Sequence, residues 1–372
     1  QVQYGADVIM RANYALEHGT EALSMCVRKA VNEMLGSLAE DAGIRREDVF
    51  QVCVVGNTCM HHLFLGISPA SLVHAPYTPA VSERLVLNAG DYGLAVQERA
   101  ELIMLSDIAG YVGADTCGCL LAIRQDQQEE ISLMIDIGTN GEMVLGNRER
   151  MVTCSTAAGP AFEGAKIECG MRGAAGAVDH VKYEDGKWNY TTVGNKPAVG
   201  LCGSGLIDLV AGLLDAGMLD ENGVLRSGQE KQGVFILVPP ERGGNERGVY
   251  LTQKDLGEVQ LAKAAIAAGI QMLMERLGIT EDDICSVYIA GAFGNYMDPV
   301  SAGKIGLLPA TLVKKVKPVG NAAGEGAKIA LVNEKEMLEM DELVRKIEFV
   351  ELAASADFQD HFIDELGFET GE

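Results

Sequence analysis

Residues 43–57 read GIRREDVFQVCVVGN, and residues 278–292 read GITEDDICSVYIAGA. The two segments align without a gap at an offset of 235 residues, with glycine, aspartate or apolar residues at matching positions. The segments that precede them also match, because their apolar residues keep the 3.6-residue period of an amphipathic helix. The repeat therefore predicts two copies of one unit, in which a helix, a glycine turn and a strand that ends at glycine follow one another.

Two copies of such a unit predict an α/β protein with two related lobes, one on each side of a cleft. We place the first lobe at residues 1–125 and the second lobe at residues 126–372. The repeated segments, residues 27–56 and 262–291, should each form helix, turn and strand. Val54 and Ile289 should then be buried at equivalent places.

The composition excludes several classes of partner. With 30 Lys and Arg against 53 Asp and Glu, the formal net charge of the 372-residue chain is −23. This charge argues against binding to nucleic acid or to an anionic membrane. No apolar stretch is long enough to span a bilayer. The nine cysteines include no CxxC pair and no set of four that suits zinc or an iron–sulfur cluster, which favours buried thiols in a reducing cytoplasm.

The second lobe carries a hairpin with a polar turn. Ile131–Asp136 and Glu142–Leu145 are apolar strands, and Gly138, Thr139, Asn140 and Gly141 form the turn between them. Glycines permit close backbone approach, and turn amides and a hydroxyl can hold phosphate oxygens. Asp136 at the strand end could hold a hydrated Mg²⁺, and Asp136 and Glu142 are candidates for catalysis. An ordinary Asn-Gly hairpin is the alternative.

Three further glycine-rich turns follow strand-like runs in the same lobe. Candidate nucleotide-binding residues in two of them are Gly203, Ser204, Gly205, Gly291, Ala292, Phe293 and Gly294. The first turn, VGLCGSG (199–205), precedes a predicted helix at 206–219, and VGNAAGEG (319–326) precedes one at 327–332. Helix starts with small residues can bind anions. Close packing of helix on strand would require the same glycines, so both interpretations stay open.

Three other features are candidates for a site. The loop TAAGPAFEGA (156–165) is rich in small residues and fits either a ligand or ordinary structural packing. Asp107, in SDIAGYVGAD (106–115), could serve catalysis or cap the helix that follows. His61 and His62 follow an apolar strand, which favours packing at a helix start or polar lining over a metal pair.

Several motifs together resemble the reductive activators of corrinoid proteins, within the superfamily of acetate and sugar kinases, heat-shock ATPases and actin. The motifs are GADVI (5–9), VVGNTCMHHLFLGI (54–67), SDIAGYVGADT (106–116), IDIGTNGE (135–142), TAAGPAFEGA (156–165), GLCGSGLID (200–208) and AGAFGNYMDP (290–299). The resemblance covers nearly the whole chain. It implies an actin-like ATPase fold, with two ribonuclease-H-like lobes around a nucleotide cleft and an incomplete first lobe.

The resemblance also implies a function. Members of this family use ATP to return an inactive Co(II) corrinoid, held on a methyltransferase partner, to Co(I). ATP and Mg²⁺ are the expected cofactors, a corrinoid protein is the expected partner, and we expect a cytoplasmic homodimer. The family's [2Fe–2S] domain has no counterpart here, so we expect that cluster only in a domain outside these residues.

A phosphate hairpin related to Asp136 by the repeat would lie upstream of Gln1. We therefore expect fewer strands in the first lobe, a strand at residues 52–55 that lacks one of its usual neighbours, weak nucleotide binding and negligible hydrolysis. Alternatives are a small-molecule kinase, another ATPase of the superfamily, and a non-enzymatic assembly protein of the actin type. An activator of 2-hydroxyacyl-CoA dehydratases is less consistent with the cysteine pattern.

Overall fold

The computed structural model describes residues 2–5, 7–226, 233–353 and 355–368. Gln1 and Glu372, the outer limits of the predicted lobes, lie outside the described residues, as does Ala6 of the GADVI motif. The chain divides into two compact units. The first comprises residues 1–128, 148–151 and 321–349, and the second comprises residues 129–147, 152–320 and 350–372.

Strands and helices alternate along much of the chain. The strands are β1 (Gln51–Val54), β2 (Leu85–Asn88), β3 (Glu101–Met104), β4 (Ile131–Ile137), β5 (Gly141–Gly146), β6 (Met151–Thr156), β7 (Ala177–Glu184), β8 (Lys187–Thr192), β9 (Gly200–Leu201), β10 (Val234–Val238), β11 (Val249–Thr252), β12 (Ile284–Ala290), β13 (Val316–Gly320) and β14 (Glu348–Phe349). The α-helices are α1 (Val8–His18), α2 (Glu21–Ala42), α3 (Thr58–Leu65), α4 (Ala70–Val73), α5 (Ala114–Ile123), α6 (Gly203–Asp215), α7 (Gln253–Leu277), α8 (Gly291–Gly294), α9 (Pro299–Lys304), α10 (Ala322–Val332), α11 (Glu334–Val344) and α12 (Ala356–Asp364). Short 3-10 helices cover Val2–Tyr4, Arg46–Asp48, Ala89–Tyr92, Gln125–Gln127, Ala161–Glu163, Val193–Asn195, Pro240–Arg242, Glu281–Asp283 and Ala310–Lys315.

The sheet of the first unit has three strands in the order β1-β3-β2. β1 and β3 are parallel, with Val52 opposite Leu102 and Val54 opposite Met104, whereas β2 and β3 are antiparallel. In the described part of the chain no strand lies on the other side of β1. Within the described residues β1 is therefore an edge strand that pairs with β3.

Helices α10 and α11 belong to the first unit, although the sequence interpretation placed all residues after 125 in the second lobe. The reason is a close crossing of α10 and α5 at two glycines. A Cβ on Gly118 would lie 2.6 Å from the Ala323 carbonyl oxygen, and one on Gly326 would lie 1.9 Å from the Gly118 carbonyl oxygen. Glycine at both positions lets the two backbones touch.

The main sheet of the second unit includes β13-β12-β4-β5-β6 in that order. β4 is parallel to β12 and antiparallel to β5. A smaller sheet has the order β8-β7-β9, and β10 pairs with β11. The second unit thus has more strands than the first, as expected. Leu133, Ile135, Val287 and Ile289 of the two central parallel strands are completely buried in its core, which is typical of strands covered on both faces.

The repeated unit is present in both places. α2 ends at Gly43 and α7 ends at Gly278, each glycine in the left-handed conformation with φ of 66° and 69°. A short 3-10 helix follows each of them and leads into β1 or β12. The predicted helix, turn and strand are confirmed in both copies. The predicted equal burial is wrong, because Ile289 is completely buried whereas Val54 is only half-buried.

Candidate functional site

The hairpin predicted from residues 131–145 is formed by β4 and β5. The Gly138 amide donates to the Asn140 carbonyl at 2.9 Å and closes the turn. Asp136 lies directly opposite Glu142, and side chains that face each other across two strands share one face of the sheet. Glu142 also accepts a hydrogen bond from the Ser155 hydroxyl at 3.3 Å. The structure therefore places the two predicted carboxylates side by side.

Asp136 lies against the glycine that ends the repeated strand. A Cβ on Gly291 would lie 2.9 Å from Asp136 Oδ1, and Gly291 has a φ of +85°. Burial raises the pKa of the Asp136 carboxyl, because desolvation disfavours the charged form. A nearby cation would reverse that shift. The predicted neighbours Asp136 and Gly291 are thus in contact.

The loop at 156–165 is joined to the hairpin turn at Thr139. The Gly159 amide donates to the Thr139 carbonyl at 2.8 Å. The Thr139 hydroxyl donates to Glu163 Oε1 at 2.5 Å, a length typical of a hydrogen bond to a carboxylate. Glu163 is exposed and ends the 3-10 helix Ala161–Glu163. Because both the backbone and the side chain of Thr139 are engaged, turn and loop form one assembly.

A cavity of about 490 Å³ opens beside this loop in the second unit. Phe162 and Phe293 form its apolar wall, and their rings stack with centroids 5.7 Å apart and an interplanar angle of 16°. Polar lining comes from Arg172, Asp179 and Ser204. An aromatic wall with a few polar groups is the usual character of a small-molecule site. This cavity is the best candidate for a ligand pocket in the described residues.

The glycine-rich start of α6 leaves room for the aromatic wall of the pocket. Gly203 leaves room for Phe162 and Phe293, because a Cβ there would lie 2.1 Å from the Phe162 carbonyl oxygen and 2.7 Å from the Phe293 ring. Ser204 lines the pocket next to it. The predicted neighbourhood of Gly203, Ser204 and Phe293 is therefore real. Ala292 lies in the short helix α8, between Gly291 and Phe293.

Other predicted glycines serve packing. A Cβ on Gly205 would lie 2.2 Å from the Val178 carbonyl oxygen, so this glycine lets α6 approach β7. A Cβ on Gly294 would lie 2.5 Å from the Ile289 side chain. At these two positions the structure favours the packing interpretation.

The predicted turns before two helices are already helical. α6 begins at Gly203 and ends at Asp215, so it starts three residues earlier than the predicted 206–219. α10 begins at Ala322, where the Asn321 side chain accepts the Gly324 amide, so residues 322–326 do not form a turn. In both cases small residues fill the first helical turn because neighbouring backbone lies close to it. The sequence correctly predicts glycine-rich segments before these helices, but the prediction that they form turns is wrong.

Several pocket residues were not among the predicted site residues, including Asp179, Arg172 and Tyr296. Asp179 precedes His180 in β7, and its carboxylate accepts a hydrogen bond from the Thr191 hydroxyl at 2.6 Å. Tyr296 lies in the quoted motif AGAFGNYMDP, whereas Arg172 lies in none of the quoted motifs, and neither has a spacing that marks it. Glu163 was visible in its loop, but its contact with Thr139 spans 24 residues. No local pattern predicts that pairing.

Asp107 belongs to the first unit and is almost completely buried. Its carboxylate accepts the Ala114 amide at 2.9 Å, and α5 begins at Ala114. It also lies 3.2 Å from His61 Nδ1. Asp107 thus satisfies an amide at the start of α5, although Gly113 is the N-cap residue itself. The alternative of a structural role at this helix has direct support, and a catalytic role stays a prediction.

The two histidines of α3 are held by polar contacts. His62 Nδ1 donates to the Thr58 carbonyl at 2.8 Å, and His62 Nε2 accepts the Ala80 amide at 2.9 Å. This arrangement requires the neutral imidazole. His61 contacts Asp107 through Nδ1, while its buried Nε2 has no hydrogen-bond partner in the described part of the chain. Packing at a helix start, as predicted, accounts for His62.

Metal and membrane features are limited. The described residues contain no group of three or more His, Cys, Asp or Glu side chains that could hold a metal ion.

Five of the nine cysteines are buried and Cys285 is exposed, so the expectation of buried thiols holds for most of them. Burial raises the pKa of the Cys53 thiol to about 11. No described helix has the length and apolarity to cross a membrane.

The fold and the family match together define the class: residues 130–372 match a model that describes an ASKHA domain, the class of actin-like ATPases. The chain belongs to the RACo family of that class. Residues 130–372 match the family described as the C-terminal domain of RACo, the ASKHA domain, and residues 1–128 match the RACo middle region. The predicted fold class and the resemblance to reductive activators are thereby confirmed.

Two curated relatives carry related names. The corrinoid activation enzyme RamQ of Eubacterium limosum is 35% identical over 381 residues, which cover 98% of this chain and 64% of that protein. The [Co(II) methylated amine-specific corrinoid protein] reductase of Methanosarcina barkeri is 27% identical over 399 residues, 98% of this chain and 71% of that protein. Both names concern the activation or reduction of a corrinoid protein.

A solved structure is also similar. The reductive activator for corrinoid,iron-sulfur protein is 37% identical and superposes with a TM-score of 0.90 over 99% of this chain and 60% of that chain. The present chain therefore spans about three fifths to seven tenths of the length of these relatives.

Proposed function

We propose that this chain is the ATP-binding part of an enzyme that reduces the Co(II) form of a corrinoid protein to Co(I). The relatives support the reaction, since their names describe corrinoid activation and Co(II) corrinoid reduction. The single observation that carries the nucleotide assignment is the junction of hairpin and pocket, which the Thr139–Glu163 hydrogen bond makes. A nucleotide needs an apolar pocket and a polar turn next to each other.

The pocket is proposed to hold the nucleoside. Its volume of about 490 Å³ lies within the range of roughly 300–1,000 Å³ that is usual for small-ligand sites. The base would contact the aromatic wall of Phe162 and Phe293, and Ser204, Arg172 and Asp179 would supply polar contacts. The first amides of α6 would favour nearby negative charge.

The hairpin is proposed to receive the phosphates together with Mg²⁺. Asp136 and Glu142 supply two neighbouring carboxylates, and the raised pKa of Asp136 reflects burial without an opposing charge. Mg²⁺ is commonly held by one or two carboxylates plus phosphate oxygens and water, so the described residues fit it without a full set of protein ligands. The ion would neutralise phosphate charge.

The other candidate residues are proposed to admit the phosphates or to take part in catalysis. Gly138, Asn140, Gly141 and Gly291 would let backbone amides approach the phosphates. Asp107 is proposed as a catalytic residue of the first unit, in addition to its contact with the Ala114 amide.

We propose that nucleotide binding is coupled to corrinoid reduction through a conformational change. Nucleotide that binds one conformation better than another shifts the population towards it, by an amount set by the difference in affinity. We propose a corrinoid protein as partner, a homodimeric assembly and a cytoplasmic location. The described cysteines do not form a cluster site, so no step is assigned to a [2Fe–2S] group within these residues.

Two measurements test the proposal. Calorimetric titration with Mg-ATP should show saturable binding, and Phe293→Ala should weaken it by about tenfold or more because the aromatic wall is lost. Phe50→Ala, an exposed aromatic of the first unit, is the matched control and should bind as the parent does.

The second measurement follows the corrinoid itself. With a corrinoid protein and a chemical reductant as the electron source, Co(I) absorption that develops in the presence of the chain should require ATP, at the low rate that the expected weak hydrolysis allows. A phosphorylated sugar or acyl product without any Co(I) would support the kinase alternative instead.

A further inference from the structure

Glu163 connects the two parts of the proposed site. Its carboxylate accepts the hydrogen bond of Thr139 in the hairpin turn, and the same residue lines the pocket. Its neighbour Phe162 is buried and forms the aromatic wall with Phe293. Glu163 thus contacts the turn and lines the pocket, so the chemistry of this one contact affects both.

The position of Glu163 is set by the fold of its loop. The Glu163 amide donates to the Pro160 carbonyl at 3.1 Å, and the Ala165 amide donates to the same carbonyl. Gly164 follows with a φ of +81°, and a Cβ there would lie 2.5 Å from the Met171 amide nitrogen. The Gly159 amide holds the Thr139 carbonyl on the other side. The loop is therefore braced at both ends.

A threonine hydroxyl has one hydrogen and two lone pairs. When the hydrogen of Thr139 is donated to Glu163, the oxygen can present only lone pairs to any third group. Lone pairs repel a phosphate oxygen and attract a cation or a water molecule that a cation orients. Thr139 therefore acts as an acceptor in this arrangement, whereas the sequence interpretation treats it as a donor to phosphate.

The negative charges around the turn also favour a cation over a phosphate oxygen. Asp136 and Glu142 face each other on the hairpin, and Glu163 approaches it from the loop. Three carboxylates near a phosphate would oppose its binding. A divalent cation held between the phosphate and Asp136 or Glu142 would reduce that opposition.

We infer that Glu163 is a positioning residue that turns the Thr139 hydroxyl into an acceptor and thereby makes nucleotide binding depend on a divalent cation. The inference rests on the proposed function, since it requires that nucleotide binds at this hairpin. It assigns to Glu163 a role through Thr139 and not a direct contact with the reacting atoms.

The test compares ADP affinity with Mg²⁺ and with EDTA, by calorimetric titration of the whole chain. In the parent protein Mg²⁺ should strengthen binding. In Glu163→Ala the Mg²⁺-to-EDTA affinity ratio should fall by about tenfold, because a charge-assisted hydrogen bond is lost and the hydroxyl can donate to phosphate. Glu163 is exposed, and a thermal melt of each variant verifies folding.

Matched variants separate charge from hydrogen bonding. Glu163→Gln removes the charge but its side-chain carbonyl can still accept the Thr139 hydrogen, so most of the ratio should persist. Thr139→Ser keeps the hydroxyl and should preserve the ratio, whereas Thr139→Val should lower it. In the Thr139→Val background, Glu163→Ala should have a smaller effect than in the parent.

Failure of the inference is distinguishable from failure of the proposed function. If Asp136→Asn lowers the ratio and Glu163→Ala does not, Glu163 has no such role although the nucleotide site stands. If Glu163→Gln lowers the ratio as much as Glu163→Ala, charge alone acts and the hydroxyl argument is wrong. If the parent binds ADP in neither condition, the proposed function and the inference both fail.

Discussion

The two copies of the repeated unit have the same local geometry and different surroundings. Each has a helix that ends at a left-handed glycine and a 3-10 turn closed by an aspartate. β12 then runs between β4 and β13, whereas β1 pairs with β3 alone in the described chain. Local sequence determines the turn, and the neighbouring strands determine how deeply the strand that follows is buried.

The glycine at the strand end shows the same difference. Gly291 follows β12 and lies against Asp136, with a φ of +85°. Gly56 follows β1, and a Cβ there would meet only ordinary contacts at 4.0 Å with Met60 and His61. One glycine of the repeat borders the proposed cation site, while its counterpart lies near helix α3. Sequence similarity therefore predicts the strand end and does not predict its use.

The largest expected effect concerns burial of the repeated strands. Ile289→Ala should lower the free energy of unfolding of the second unit by about 3 kcal/mol, because it leaves a cavity in a fully packed core. Val54→Ala should cost about 1 kcal/mol, since Val54 is half-buried.

Urea denaturation measures both of these variants. Trp188, the single tryptophan, lies in the second unit and reports on its unfolding, while circular dichroism reports on the whole chain. Equal costs for the two variants would show that β1 is covered as well as β12 is.

The next effect concerns the two glycines. Gly291→Ala should destabilise the second unit by about 2 kcal/mol, because an alanine at positive φ is strained and its Cβ would meet the Asp136 carboxylate. It should also weaken Mg-ADP binding. Gly56→Ala is the matched control, and its thermal midpoint should stay close to that of the parent. A Gly291→Ala protein with parental stability and affinity would remove Gly291 from the site.

A smaller effect is expected at Asp136 itself. Asp136→Asn keeps the shape and removes the charge, so Mg-ADP affinity should fall by about tenfold. In EDTA the variant and the parent should differ little. Relief of the desolvation that raises the Asp136 pKa should leave the folded state at least as stable. Unchanged affinity with Mg²⁺ would contradict the proposed cation site.

Sequence reasoning succeeded where the determinants are local. The hairpin follows from two apolar strands around Gly138–Gly141, and the repeat follows from matched periodicity that ends at Gly43 and Gly278. It failed where the structure depends on contacts with backbone that is distant in the sequence. α10 joins the first unit through Gly118 and Gly326, which are 208 positions apart, and nothing near either glycine indicates the other.

The candidate site shows the same limit. Gly203 and Gly205 are two residues apart in one motif, yet the first borders the pocket and the second packs on β7. Glycine leaves no side-chain signal that distinguishes these uses. Glu163 reaches Thr139 only because its loop folds back over the turn. Such contacts depend on tertiary structure, so the sequence names candidate residues but does not predict which of them meet.

The smallest expected effect concerns the aspartates that close the two 3-10 turns. Hydrogen bonds from the Arg45 side chain and amide lower the pKa of Asp48, and hydrogen bonds from the Thr280 amide and hydroxyl lower the pKa of Asp283. A lowered pKa in the folded state means that the carboxylate contributes stability above the unfolded pKa, and that this contribution is lost as the pH falls through the folded value.

Asp48→Asn and Asp283→Asn should therefore each lower the thermal midpoint slightly at pH 7. The difference from the parent should shrink as the pH falls below the ordinary aspartate pKa of about 3.9. Asp48 is bonded to the charged Arg45 side chain, whereas Asp283 is held mainly by Thr280 and feels the charge of Lys315 as its smallest contribution, so added salt should reduce the effect of Asp48→Asn more. Thermal melts at several pH values and salt concentrations measure both dependences. If acid enlarges either difference, the carboxylate does not stabilise its turn. If salt acts equally on both, the two copies are held by the same kind of contact after all.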